Sequence, residues 1–257
     1  MKREYLELDA GKMAYIRAGS GPNMILMHSL GFSADSFNPI IDSLAGNYTV
    51  YALDMLGHGY SDKTVSNYLI EDYGKSVIEF MDKLNIRKAN ICGNSIGAFI
   101  AVEMAVSFPK RIEKLILIGL AVRDTWQRME RLALAGHTSD SEGNPVIMTE
   151  QQVAGMGFLE MTPERLNWIN EQWAMAGKWT IKGAIACTIY DVAVKLQHIK
   201  CPTLIVYGNR DIVRESGKIL THGINQSRLS TIENAGHLPH IDQPETVVKL
   251  IKDFLVS

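Results

Sequence analysis

Three cysteines in 257 residues are too few, and odd in number, to frame a disulfide-held fold. Cys92, Cys187 and Cys201 also lack metal-ligand spacing, so reduced thiols are expected and no metal is. No apolar run reaches the roughly 20 residues that cross a bilayer. No apolar segment follows the basic Lys2 and Arg3, so no secretory signal is visible and a cytoplasmic setting is expected. The net charge of −2 lacks the basic excess that nucleic acid or an anionic membrane would call for, and neither is expected as a partner. No repeat of 20 to 50 residues is present, which excludes a solenoid. Whether the chain is a monomer or a homodimer stays open.

What is present is a globular composition, with 46% hydrophobic and 21% charged residues. Its length suits one α/β unit with an insertion. Residues 5–18 alternate polar and apolar around Asp9-Ala10-Gly11, the pattern of an antiparallel edge hairpin. Met24–Met27, Tyr48–Leu53, Ala89–Cys92, Leu115–Ile118 and Thr203–Tyr207 are short apolar runs, predicted as strands covered on both faces. Arg228–Ile232 is the last predicted strand. Helices are expected over 36–44, 69–84, 96–108, 216–221 and 244–255. From 120 to 190 the strand–helix alternation stops. There the sequence predicts only helices, over 123–134, 149–158, 163–176 and 180–188, with Thr149, Thr162 and Thr180 as caps and Pro163 at a first helical position. The polar loop 136–145 is expected to be the mobile piece. The plan is a mostly parallel sheet with helices on both faces: a core of 1–119 and 191–257, and a helical insertion over 120–190.

Gly93-Asn94-Ser95-Ile96-Gly97 joins a predicted strand to an apolar helix. A serine held there between glycines has its hydroxyl pushed out at the end of the sheet, the geometry of a nucleophile. A serine hydroxyl needs a base, and the base an orienting acid. Ser95, Asp211 and His237 stand just past strand ends, 116 and then 26 positions apart, on the edge where parallel sheets bind ligands. Asp211 is favoured over Asp124 as the acid, because Gly208-Asn209-Arg210-Asp211 follows a strand directly. Of seven histidines, His237 is favoured as the base. His137, His198 and His222 fall on helices or insertion loops and read as surface residues; His240 lies three residues further on, and His58 reads as structural. An oxyanion would be met by the backbone N–H of Ile96 and of Leu30, with Ser29 the neighbouring choice for the second donor.

Those segments, together with Asp54-Met55-Leu56-Gly57-His58-Gly59-Tyr60-Ser61 and Ala235-Gly236-His237-Leu238-Pro239-His240, resemble the signature segments of the α/β-hydrolase superfamily. The resemblance spans nearly the whole chain outside the insertion. It implies an eight-stranded sheet with the second strand antiparallel, a helical cap between the sixth and seventh strands, a catalytic triad of Ser95, Asp211 and His237, and no cofactor. Ser95 in place of an aspartate is unlike the dehalogenases and epoxide hydrolases of this fold. Asn94 is similar to hydrolases that cleave carbon–carbon bonds of ring-fission products, whereas Ser29-Leu30-Gly31 is more like enol-lactonases and small carboxylesterases.

All four tryptophans, Trp126, Trp168, Trp173 and Trp179, fall in the insertion, with Met129, Met148, Met156, Met161 and Met175. Each alone reads as packing; together they suggest an apolar pocket of acyl or aryl size, with Ser29 and Leu238 on its other side. No cluster of Lys or Arg marks a strongly anionic substrate, though Arg123 or Arg128 could point inward. The expected activity is ester hydrolysis on a small-molecule substrate through an acyl-enzyme. The alternatives are carbon–carbon or enol-lactone hydrolysis by the same residues, a perhydrolase or lyase at the same site, and a ligand receptor with vestigial turnover.

Overall fold

The chain opens with β1 (Arg3–Leu8) and β2 (Gly11–Ala18), an antiparallel pair in register from Arg3 opposite Ile16 to Leu8 opposite Gly11. The structure, a computed structural model, describes residues 2–64, 67–134, 139–155, 157–159 and 161–256. The next strands are β3 (Asn23–Met27), β4 (Thr49–Leu53), β5 (Ala89–Asn94), β6 (Ile112–Ile118), β7 (Thr203–Gly208) and β8 (Ser227–Ile232). They form one eight-stranded sheet in the order β1-β2-β4-β3-β5-β6-β7-β8. β2 runs antiparallel to both neighbours, and every pair from β4 to β8 is parallel.

The apolar runs of β3 to β7 follow from cover on both faces. Successive side chains alternate. Met24, Leu26, Val50, Ala52, Cys92, Ile116, Leu204 and Val206 therefore meet α1 (Asn38–Ala45) and the C-terminal α10 (Pro244–Val256). Ile25, Met27, Ile91, Leu115, Leu117, Ile205 and Tyr207 point the other way, to α2 (Ile70–Lys83), α3 (Ile96–Ser107) and α8 (Ser216–Gly223). α3 is apolar almost all round because it is buried almost all round; from Ile96 to Ala105 every residue is shielded, Glu103 included. Glu103 is held by the Tyr190 hydroxyl, which donates at 2.7 Å, and by Lys195 at 3.4 Å.

Between β6 and β7 lies the helical insert: α4 (Thr125–Leu134), α5 (Glu150–Gly155), α6 (Pro163–Ala176) and α7 (Trp179–Ile189). The Thr162 hydroxyl accepts from the Arg165 amide at 3.2 Å and Pro163 fills the first turn, which fixes the start of α6 as the sequence predicts. Thr180 is not the cap of α7. The helix starts at Trp179, and the Thr180 hydroxyl donates back to the Gly177 carbonyl at 2.9 Å. The stretch after Asp191 is a 3-10 turn over Ala193–His198, and α1 is preceded by another over Ala34–Phe37. The helix expected over 149–158 ends at Gly155. A third apolar cluster, with Phe32, Met148, Val153, Phe158, Ile169, Trp173 and Leu238, joins the insert to the loops at the sheet edge. Of the polar loop 136–145, residues 136–138 lie outside the described residues, as do His137 and Met156. From Ser139 on the loop is tied by Asp140, whose carboxylate accepts the Glu142 and Asn144 amides at 2.9 Å. Among the described residues no helix is long and apolar enough to cross a membrane.

The sheet is best protected at its centre and least at β8, whose outer residues are exposed. Ile116→Ala on β6 is expected to lower stability by about 2–5 kcal/mol, and Leu229→Ala on β8 by roughly 1 kcal/mol. Chemical denaturation of both variants checks the ranking.

Candidate active site

The site begins with a steric problem where β5 hands over to α3. Ser95 has φ +55° and ψ −114°, a backbone state that side chains rarely adopt. It is held there because the chain packs too tightly to relax. A Cβ on Gly93 would stand 2.0 Å from the Gly97 carbonyl oxygen, and one on Gly97 would stand 2.2 Å from the Met27 carbonyl oxygen. The Ser95 amide donates to the Ile118 carbonyl at 2.9 Å, pinning the turn to β6. Asn94 is fully buried, and its amide group donates to the Ile118 and His237 carbonyls, both at 3.2 Å. Asn94 thus ties the Ser95 turn to the loop that carries His237.

Asp211 follows β7 and is 2% exposed. Its two carboxylate oxygens each lie 3.1 Å from His237 Nδ1. Facing a carboxylate, Nδ1 carries the hydrogen and donates, which leaves Nε2 as the acceptor. Asp211 Oδ1 also accepts the Val213 amide at 3.1 Å. His237 is fixed from behind: its amide donates to the Gly157 carbonyl at 2.6 Å, and the Gly236 amide donates to Asp242 at 2.8 Å. Gly119, after β6, has φ +61° and faces this pair. A Cβ there would meet His237 Cε1 at 2.9 Å and Asp211 Oδ2 at 3.2 Å. Only glycine leaves room for the histidine, a requirement the sequence did not advertise.

Ser95 and His237 line one cavity of about 250 Å³, together with Ser29, Leu30, Phe99 and Trp173. Among the described residues the Ile96 and Leu30 amides take part in no other hydrogen bond. Ile96 opens α3, where the first N–H groups have no acceptor within the helix. The loop bearing Leu30 is positioned by His28, which sequence reasoning passed over. His28 Nδ1 donates to the Ser29 carbonyl at 2.7 Å, and Nε2 accepts the Met55 amide at 3.0 Å. Complete burial pushes its pKa down to about 4 and keeps the ring neutral, as this pairing requires. His58 is also buried, with its ring 5.2 Å from that of His28, and is likewise held neutral by burial.

Other expected site residues fall elsewhere. Trp126 is 74% exposed on α4, turned away from the cavity. Trp168 packs on Phe32 at 5.3 Å, and Trp179 covers Tyr68 and Tyr73 at 5.8 and 6.4 Å. Leu238 is wholly buried in the cluster that joins insert and sheet. Trp168, Trp179 and Leu238 pack the insert against the core, and of the tryptophans only Trp173 reaches the cavity. Asp124 accepts the Gln127 amide at 2.8 Å at the start of α4, away from His237. Arg128 pairs with Asp191 at 2.8 Å instead of turning inward. Arg123 does line the cavity, and so does Arg131, which was not foreseen.

The sequence and the fold match a known class. The chain fits the profile of the alpha/beta hydrolase fold over residues 22–160, and it belongs to that family. It is 28% identical to 3-oxoadipate enol-lactonase 2 of Acinetobacter baylyi, with 87% of this chain and 85% of that one covered. It is 26% identical to a pimeloyl-[acyl-carrier protein] methyl ester esterase of Nitrosospira multiformis, with 92% and 95% covered. The crystal structure of the enol-lactonase from Burkholderia xenovorans LB400 superposes with a TM-score of 0.84 at 24% identity, covering 99% of this chain and all (100%) of that one.

His240 is no rival base. It stacks on Phe37 at 4.8 Å, and both its ring nitrogens are buried without a partner among the described residues. Burial first, then the nearby His237 and Arg165, pushes its pKa down to about 3. The unfolded chain binds this proton below about 6.5, whereas the folded one refuses it until about 3. Stability is therefore lost as pH falls through that window, at up to about 1.4 kcal/mol per pH unit for each such group. Urea unfolding between pH 7 and 4.5 is expected to show this decline, and His240→Leu to make it shallower. An unchanged slope in that variant would count against the assignment.

Proposed function

We propose that the chain hydrolyses carboxylic esters of small to medium, partly apolar acyl or aryl substrates, through an acyl-enzyme on Ser95. The observation that carries this reading is the strained Ser95 turn sharing one cavity with the His237–Asp211 pair. In this reading His237 Nε2 takes the proton as Ser95 Oγ attacks the carbonyl carbon. Asp211 keeps Nδ1 protonated and stabilises the imidazolium. The Ile96 and Leu30 amides meet the oxyanion, where one such donor is typically worth about 10²–10³ in rate. The tetrahedral species collapses, His237 hands its proton to the leaving alcohol, and water, activated by the same ring, releases the acid. The insert over 120–190 is the cap, and Phe158 and Trp173 are among the residues it contributes to the substrate wall.

A second reading is the opening of an enol-lactone by the same residues. The likeness to 3-oxoadipate enol-lactonase 2 favours it.

Ser95→Ala is expected to abolish multiple turnover of p-nitrophenyl acyl esters, by at least about 10³-fold, without unfolding the protein. Asp211→Asn is expected to lower kcat by about 10²–10⁴-fold. Turnover that survives in a folded Ser95→Ala protein would sink the reading. Rates on a simple ester and on an enol-lactone divide the two reactions. Labelling by a fluorophosphonate without steady turnover would identify a receptor instead.

A further inference from the structure

The Ser95 cavity has an uneven charge. Among the described residues none that lines it is Asp or Glu, yet Arg123 and Arg131 both reach it, Arg123 from the loop after β6 and Arg131 from the last turn of α4. Arg123 is half-buried, and among the described residues neither guanidinium has a hydrogen-bond or ion-pair partner. For the half-buried Arg123 this is unusual, because burying even part of a charge without a partner is costly, while Arg131 is exposed. The two also repel one another, and burial together with Arg131 lowers the pKa of Arg123. The carboxylates nearby do not relieve this. Asp124, Glu130 and Glu215 line an outer hollow that both arginines also border, but among the described residues none of the three forms an ion pair with either arginine. Asp124 is taken by the Gln127 amide, and Glu215 by Lys218 at 2.7 Å and Arg214 at 3.6 Å. By contrast Arg128, only three residues before Arg131, is neutralised by Asp191. A planar guanidinium left free in a cavity wall is suited to a carboxylate, which it can bind through two parallel N–H groups.

We propose that the Arg123–Arg131 end of the cavity is a carboxylate subsite, so that the ester or lactone opened at Ser95 carries a free carboxylate on its acyl side. The words "opened at Ser95" rest on the function proposed above; the subsite itself does not. At about 250 Å³ the cavity lies just under the usual range for ligand pockets, so the bridging chain between the two groups is short. Phe99, Phe158 and Trp173 supply apolar wall for that chain.

The test uses the full chain with Ser95→Ala, so that ligand binds without being consumed. Titration calorimetry at pH 7.5 compares monomethyl glutarate, an anion, with methyl valerate, a neutral ester of nearly the same shape. The anion is expected to bind at least about tenfold tighter, since a charge-assisted pair is typically worth 10- to 100-fold. Arg123→Gln is expected to remove most of that preference and Arg123→Lys to retain part of it. Arg131→Gln, on an exposed residue of α4 whose loss does not threaten folding, is expected to weaken the anion more than the neutral ester. Arg128→Gln, outside the cavity, is expected to leave the preference as it was. Equal affinities, undetectable binding of the anion, or a loss shared equally by both ligands in Arg123→Gln and Arg131→Gln would overturn the subsite. Anion preference in a Ser95-intact protein that turns over neither ester would support the subsite and overturn ester hydrolysis, so the two can fail separately.

Discussion

The structure depends on one crowded contact, where the turn after β5 passes over the end of β3. Gly97 lies against the Met27 carbonyl so closely that no Cβ fits, and Gly93 lies as closely against Gly97. The contact forces Ser95 into positive φ, at a cost of order 1–3 kcal/mol. The surrounding order offsets that cost. β5 is central in the sheet, α3 is buried along nearly its whole length, and the Ser95 amide and the Asn94 side chain both bond to Ile118 on β6. A weaker core would let the turn relax, and the hydroxyl would swing away from the cavity.

Parallel register then delivers the partners. β3, β5, β6, β7 and β8 all end at the same edge, so the loops that follow them carry Leu30, Ser95, Gly119, Asp211 and His237 to one place. Two buried histidines serve this edge as fixed neutral groups. His28 uses both ring nitrogens to hold the Leu30 loop, and His240 fills apolar space against Phe37 behind the His237 loop. Unlike these two, His237 keeps a carboxylate partner and contact with the cavity.

Much of this was legible in the sequence, for a definite reason. Strands covered on both faces read as unbroken apolar runs, and the residues just past their ends share an edge once the sheet is parallel. That logic reached the fold and brought Ser95, Asp211 and His237 together. It failed where a side chain's direction decides. Trp126 and Trp173 look alike in composition, yet one is exposed and the other walls the cavity. Arg128 and Arg131 are less than one helical turn apart, but Asp191 draws off the first and leaves the second for the cavity. Gly119 carried no signal, because what it avoids is a histidine more than a hundred residues away. Short helices such as α4 and α5 have too few turns for their periodicity to define a buried face.

The insert does more than line part of the cavity, because it also bonds to the loop that carries His237. The Gly157 carbonyl accepts the His237 amide, and Arg165 on α6 pairs at 2.6 Å with Asp242, which in turn accepts the Gly236 amide. Asp242 is nearly buried, so breaking the pair strands a charge and costs about 3–5 kcal/mol. Each backbone bond adds roughly 1 kcal/mol. Lifting residues 157–165 from the core would thus strip the His237 loop of its supports on that side. Around α4 the insert makes fewer such bonds among the described residues. There the exposed Trp126, Met129 and Arg131 face outward or toward the cavity, and the salt bridge from Arg128 to Asp191 is the main polar tie among the described residues. Among the described residues, the polar ties to the His237 loop thus come from the part of the insert around Gly157 and Arg165 and not from the side that carries Arg123 and Arg131.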